Sequence, residues 1–379
     1  MAQPSAGVAK PPGAAPTLPN GAPQAAAPAV QPPAPVDRLS SIAHSDKLAW
    51  NGVVIAPDGR IFVVFPHLGG NAGPGLASID AHGDPVPYPG GAWNEPTAAD
   101  AKSDPAQAFI GLNAIHLAPD NSLWAVDTGS PGAGKPALPG ATKLVRIDLA
   151  TNQSTRSYVL PGDVLRPKSM IDDVRFNGGH AYITDAGAPG LIVLDLATGA
   201  ARRVLDQDSS TTAQRPITVN GEVLKGPDNK PAMIHADQLE VTPDGKYLYY
   251  QPLPGPMFRI ACSLLDDPGA SPQAVAAGAQ FWYDTPALGG TAIGPDGTLY
   301  LNDVENDSIL SLTPDRVLTT IIRDPRLHWA DAPFLKDGLL TLPVPQLDRA
   351  AFFHHGKSQI QFPVQIYNLR VAPPAAVPP

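Results

Sequence analysis

The sequence predicts an all-β protein, a six-bladed β-propeller, and three observations carry that reading. With 46 Pro and 35 Gly, about a fifth of the 379 residues interrupt helices. A tight-turn signal of the Asp-Gly type, flanked by apolar residues, recurs six times. Counted at Gly59, Asn121, Gly178, Gly245, Gly297 and Gly338, successive turns lie 41 to 67 residues apart, room for a four-stranded sheet with its loops.

In order, the copies begin with Ile55-Ala-Pro-Asp58-Gly59-Arg-Ile61-Phe62 and Leu117-Ala-Pro-Asp120-Asn121-Ser-Leu123-Trp124. A degenerate Val174-Arg-Phe-Asn177-Gly178-Gly-His180-Ala-Tyr182 follows, then Val241-Thr-Pro-Asp244-Gly245-Lys-Tyr247-Leu248-Tyr249. Ile293-Gly-Pro-Asp296-Gly297-Thr-Leu299-Tyr300 and Pro333-Phe-Leu-Lys-Asp337-Gly338-Leu339-Leu340 complete the set. Each supplies the first hairpin of a blade. Second strand pairs are visible at 142–149 with 153–160, and at 190–196 with 201–205. Tandem β-sandwiches are the competing architecture, but no linker divides the repeats and each is too small for a sandwich domain. Residues 208–234, with a hairpin signal at Val219-Asn220-Gly221-Glu222-Val223, read as an insertion over one face, placed to cover the channel.

The propeller is expected over 37–371, between a Pro/Ala-rich leader (1–36) and a similar tail (372–379), both too poor in apolar bulk to fold. A formal charge of -9 without any basic block disfavours nucleic acid as a partner. The single cysteine, Cys262, excludes an intrachain disulfide and multi-thiolate metal sites, and reads as a buried filler on a strand. No stretch is long and apolar enough to span a bilayer. A leader of this composition commonly tethers exported domains, so an extracellular or periplasmic location is expected, and a monomer.

Geometry then selects the candidate site. In each first hairpin the turn marks one end of the blade. The residue entering the first strand and the residue leaving the second therefore share the other end, beside the channel mouth. The entering residues are Asn51, Asn113, Asp172 with Asp173, Asp237 with Gln238, Thr291 and Asp331. The leaving residues are His67, Asp127 with Thr128, Asp185, Gln251, Asn302 with Asp303, and Pro345 with Gln346. Polar groups converging on an opening walled by apolar sheets make a small-molecule site. The acidic members Asp127, Asp172, Asp185, Asp237 and Asp303 suit a cation, either calcium or an organic amine. Close carboxylates also raise one another's pKa, leaving one protonated as a general acid. The competing reading makes each Asp a local cap for backbone amides. Trp50 and Trp329 flank entering positions and are candidates to stack on a planar ligand.

The chain resembles the major royal jelly and yellow proteins, in the bacterial branch related to dopachrome tautomerase. The resemblance rests on Ile61-Phe-Val-Val-Phe65-Pro66 followed by Tyr88-Pro89, on Leu123-Trp-Ala-Val-Asp127-Thr-Gly129 and on Lys143-Leu-Val-Arg-Ile-Asp148-Leu149. Ala181-Tyr182-Ile-Thr-Asp185-Ala-Gly187 and Gly245-Lys-Tyr-Leu248-Tyr249-Tyr250-Gln-Pro-Leu253 extend it. It implies a six-bladed propeller, usually secreted, whose central pocket binds aromatic amines in some members and accompanies dopachrome isomerisation in others. The sequence is more distantly similar to the gluconolactonase and senescence-marker propellers, whose divalent metal is held at blade starts. That likeness places Asn51, Asn113 and Asp237 at ligand positions, but an acidic ligand becomes Asn51 and another becomes Gly289.

Three functions follow as expectations. The first is binding of a planar aromatic or amine metabolite at Asn51, Asn113, Asp172, Asp185, Thr291, Asp303, Trp50 and Trp329, with tautomerisation through Asp237 or Asp127. The second is a metal-dependent lactonase, with Asn113 and Asp237 holding a divalent cation such as calcium. The third is a non-catalytic interaction scaffold.

Overall fold

The computed structural model describes residues 38–66, 73–94 and 104–371; the leader, the tail and His67 lie outside them. Six four-stranded antiparallel sheets form the blades of a propeller, five with their strands in simple sequential order and the sixth completed by the first strand of the chain. Strand β1 (Leu39–Ser45) is set aside for the last blade. Blade one is β2 (Gly52–Ile55), β3 (Ile61–Val64), β4 (Leu76–Ile79) and β5 (Pro85–Pro87). Blade two is β6 (Leu112–Leu117), β7 (Leu123–Asp127), β8 (Lys143–Asp148) and β9 (Gln153–Val159). Blade three is β10 (Ile171–Asn177), β11 (His180–Asp185), β12 (Leu191–Asp195) and β13 (Ala201–Val204).

The insertion then forms a small hairpin, β14 (Thr218–Val219) with β15 (Glu222–Val223). Blade four is β16 (Ala236–Val241), β17 (Tyr247–Pro252), β18 (Met257–Ala261) and β19 (Gln280–Tyr283). Helices α1 (Cys262–Asp266) and α2 (Pro272–Gly278) join its last two strands, so the buried Cys262 opens a short helix rather than lying on a strand. Blade five is β20 (Leu288–Ile293), β21 (Leu299–Asp303), β22 (Ser308–Leu312) and β23 (Leu318–Arg323). The last blade joins β24 (Phe334–Lys336), β25 (Leu339–Val344) and β26 (Val364–Arg370) to β1, whose Leu39 pairs with Leu369. The two ends of the ring are thus fastened within one sheet.

The turn chemistry explains the hairpins. Gly59, Gly245 and Gly297 hold φ of 89°, 69° and 82°, and Asn121 holds 63°, a region open to Gly and Asn at little steric cost. Asp58, Asp120, Asp244 and Asp296 each accept the N–H two residues on, an Asx turn that closes the loop. Between blades, apolar side chains of one sheet's inner strands fill the face of the next. Trp124 of blade two packs with Ile183 and Ile192 of blade three, and Trp50 packs with Val63, Val364 and Ile366 where the last blade meets the first. Burial of this kind contributes about 25 cal/mol per Å² of apolar surface, which makes the ring its own core.

Candidate functional site

The first strands of four blades begin with a break in register. In β6 the break falls at Asn113, in β10 at Asp172 and Asp173, in β16 at Asp237 and Gln238, and in β20 at Gly289. An extra residue at such a bulge leaves the ladder and re-aims its side chain. Of the polar residues predicted to enter the blades, Asn113, Asp172, Asp173, Asp237 and Gln238 are therefore bulge residues, and they line the axial cavity. Asn51 holds the equivalent place before β2, with its N–H donating to Val64 O (2.9 Å).

These groups form a chain around the axis. Asn51 Nδ2 donates to Asn113 O (2.9 Å), and Asn113 Nδ2 donates to Asp172 Oδ1 (2.6 Å). The Asp172 charge bears on the neighbouring Asp237 carboxyl, and Gln238 Nε2 donates to Asp237 Oδ1 (2.6 Å). On the sixth blade, Asp331 accepts from Trp329 Nε1 (3.1 Å) and from Ala332 N (2.8 Å). All of these residues line one cavity of about 660 Å³, within the usual range of small-molecule pockets. Its remaining wall is largely apolar, with Met170, Ile234, Leu253, Phe352 and Phe353. Residues Pro231 to Ile234 of the insertion belong to that wall.

Burial dominates the electrostatics. It raises the pKa of Asp172, with the Asp173 charge adding to it and the Asn113 hydrogen bond opposing it. Asp237 is driven well above the carboxylate range by burial and then by the charges of Asp172 and Asp331. Burial also lifts Asp331, against the opposing Ala332 hydrogen bond. Among the described residues, no Lys, Arg or His forms an ion pair with these three acids. Asp173 differs: Arg175 Nη1 lies 2.6 Å from it, and Arg175 Nη2 lies 2.8 Å from Glu240 Oε1, linking the three in a largely buried network.

Other predicted residues are held elsewhere. Asp127 does not line the cavity; its carboxylate accepts from Lys143 Nζ (2.6 Å) and the amides of Ile110, Gly111 and Gly129. Asp185 is likewise turned to Arg203 (2.9 Å) and the Met170 and Ala188 amides, and Asp303 to the Glu305 amide and Ser308. These three occupy equivalent strand ends and serve as caps for the loops that follow. Thr291 donates to Glu240 Oε1 (3.2 Å) rather than facing the cavity. Trp50 is buried between blades, its Nε1 donating to Gln365 O (3.2 Å), so only Trp329 of the two tryptophans reaches the cavity.

A divalent-cation cage is not assembled from Asn113 and Asp237. Hard cations such as calcium take six to eight oxygen ligands. Here the Asn113 amide nitrogen faces Asp172, Asp237 is bonded to Gln238, and no three His, Cys, Asp or Glu side chains among the described residues are placed to hold a metal. Sequence reasoning did not assign to the site Lys135 and Lys168, on loops, or Phe352 and Phe353, in the short 3-10 helix Ala351–His354, all of which line the cavity.

The fold and site define a class: six-bladed propellers with a polar-floored axial cavity. The chain belongs to the major royal jelly protein family, whose model matches residues 114–321. Among solved structures it is similar to a gluconolactonase from Xanthomonas campestris, at 11% identity and a TM-score of 0.50, covering 86% of this chain and 88% of that one. It is equally similar to a virginiamycin B lyase from Staphylococcus aureus, at 11% identity and a TM-score of 0.50, covering 88% and 99%. At that identity the likeness is one of fold. No curated protein matches the sequence.

Proposed function

We propose that the axial cavity binds a small organic amine with a flat, apolar body. One observation carries the reading: Asp172, Asp237 and Asp331 converge at the buried end of an apolar cavity without a basic side chain paired to any of them. Buried carboxyl groups in that state hold protons, and a cation arriving among them restores the charged form with a partner. Trp329 lines the same wall and holds Asp331 in place through its Nε1.

Calorimetric titration with arylalkylamines tests it. Binding is expected for phenethylamine and tyramine, with protons released on binding at neutral pH. Loss of binding in Asp237→Asn is the companion result. If neither amine binds while the folded protein is intact, the reading fails.

A second reading concerns chemistry at the same place. Asp172 and Asp237 line the same cavity with both carboxyl pKa values raised, so one can donate a proton while the other accepts one. That pair suits tautomerisation of a bound ring, with Asp237 as the group that moves the proton. Isomerisation of a dopachrome-type substrate, followed by absorbance and abolished in both Asp172→Asn and Asp237→Asn, is the expected outcome; unchanged turnover in either variant overturns it.

A further inference from the structure

The cavity is acidic at one end and basic at the other. Its inner end holds the buried Asp237 and Asp331 and the half-buried Asp172. Its open end is lined by Lys135, on the loop between β7 and β8, and Lys168, on the loop between β9 and β10. Both lysines are exposed, and they stand on loops of adjacent blades at the same face. Among the described residues neither ammonium group forms an ion pair. The acid that lines the cavity beside them, Asp228, is already 3.5 Å from Lys230. Between the two ends the wall is apolar and aromatic, and about 660 Å³ is room for a ligand that reaches from one end to the other.

We propose that the ligand is amphoteric, with its ammonium group and an anionic group at opposite ends of a flat body, the anion meeting Lys135 and Lys168. This deepens the amine reading and rests on it. It also sets a preference against α-amino acids. Their carboxylate lies beside the ammonium group and would be carried into the acidic end, where like charge and burial both oppose it. The anion may not be exchanged for a neutral group without losing the lysines' contribution, and the preference has an electrostatic signature, since exposed pairs are screened by salt.

The test compares three probes on the full-length chain: 4-(2-aminoethyl)benzoate, phenethylamine and phenylalanine. The expected order is benzoate tightest, then phenethylamine roughly fivefold weaker, as one or two exposed ion pairs allow, and phenylalanine weakest. In Lys135→Ala/Lys168→Ala the benzoate and phenethylamine affinities are expected to converge, with phenethylamine unchanged. High salt should narrow the gap in the wild type in the same direction. Equal binding of the first two probes, or a benzoate preference that survives the double substitution, overturns the amphoteric proposal and leaves the amine reading standing. Failure of all three to bind overturns both.

Discussion

Asp172 of β10 and Asp237 of β16 stand at matching bulges of adjacent blades and line one cavity, where the Asp172 charge pushes the Asp237 carboxyl up. Two like charges brought that close out of water cannot both persist, so the pair retains a proton. The bulges that turn the two residues inward therefore build an arrangement that is costly to the fold. Destabilised groups of this kind are common at binding sites.

The first prediction follows from the sign of that shift. A carboxyl whose folded pKa is raised binds protons more tightly in the folded state, so it opposes folding increasingly as pH rises from its unfolded value near 3.9 toward the raised one. Asp237→Asn removes the opposition. The variant is expected to melt several degrees higher than wild type at pH 8, with the gap closing by pH 4, while amine binding is lost. Melting curves across pH check it, and a variant less stable than wild type at pH 8 contradicts the argument.

Asp127 should behave in the opposite way. Its carboxylate and Lys143 Nζ are both fully buried and 2.6 Å apart, directly opposite in the β7–β8 pairing. Removing one partner strands the other charge, typically at a loss of about 3–5 kcal/mol. Lys143→Met and Asp127→Asn are each expected to lower denaturant stability by that order. Ligand affinity, measured where the variants remain folded, should stay at the wild-type value.

The contrast shows how far the sequence can be read. The hairpins are legible because their turns need residues that tolerate positive φ, such as Gly59, Asn121 and Gly245. The channel residues are legible because they follow from where the turns lie. Which acids face the channel is not, because Asp127 and Asp172 both stand at strand ends and differ only in their cross-strand surroundings. A signal was available in Lys143 and Arg203, basic residues on the third strand of blade two and the fourth strand of blade three, which pair with Asp127 and Asp185. Closure by β1 is hidden for another reason: its partner β26 is at the far end of the chain and no local motif joins them.

Blade five supplies a third prediction. It starts with Gly289 and Gly290 where other blades present polar residues, and the reason is steric. A Cβ on Gly289 would lie 2.2 Å from Ala330 O, and one on Gly290 would lie 2.7 Å from the Pro333 ring. The segment carrying Trp329 and Asp331 is thus pressed against bare backbone. Gly289→Ala is expected to destabilise by about 1–3 kcal/mol, as overpacking does. It should also weaken amine binding by displacing Asp331, whereas Gly59→Ala at a solvent-facing turn should affect stability alone.

The last prediction concerns the wall that carries Phe352 and Phe353. His328 lies between Asp307 (Nδ1 to Oδ1, 3.0 Å) and Asp348 (Nε2 to Oδ2, 2.9 Å), joining blade five to the segment 347–353. Burial lowers its pKa, but hydrogen bonds to both carboxylates outweigh that and raise it to about 9. A histidine with a raised folded pKa contributes stability that is complete below its unfolded value near 6.5 and is lost as pH rises through the folded one. Wild type is therefore expected to lose stability relative to His328→Gln between about pH 6.5 and pH 9, the two curves running parallel on either side. Because Leu347, Ala350, Phe352 and Phe353 line the cavity, amine affinity in the wild type should fall over the upper part of the same window. Urea melts and titrations at matched pH values measure both, and a stability difference that does not change with pH would show that the histidine is not charged in the folded protein.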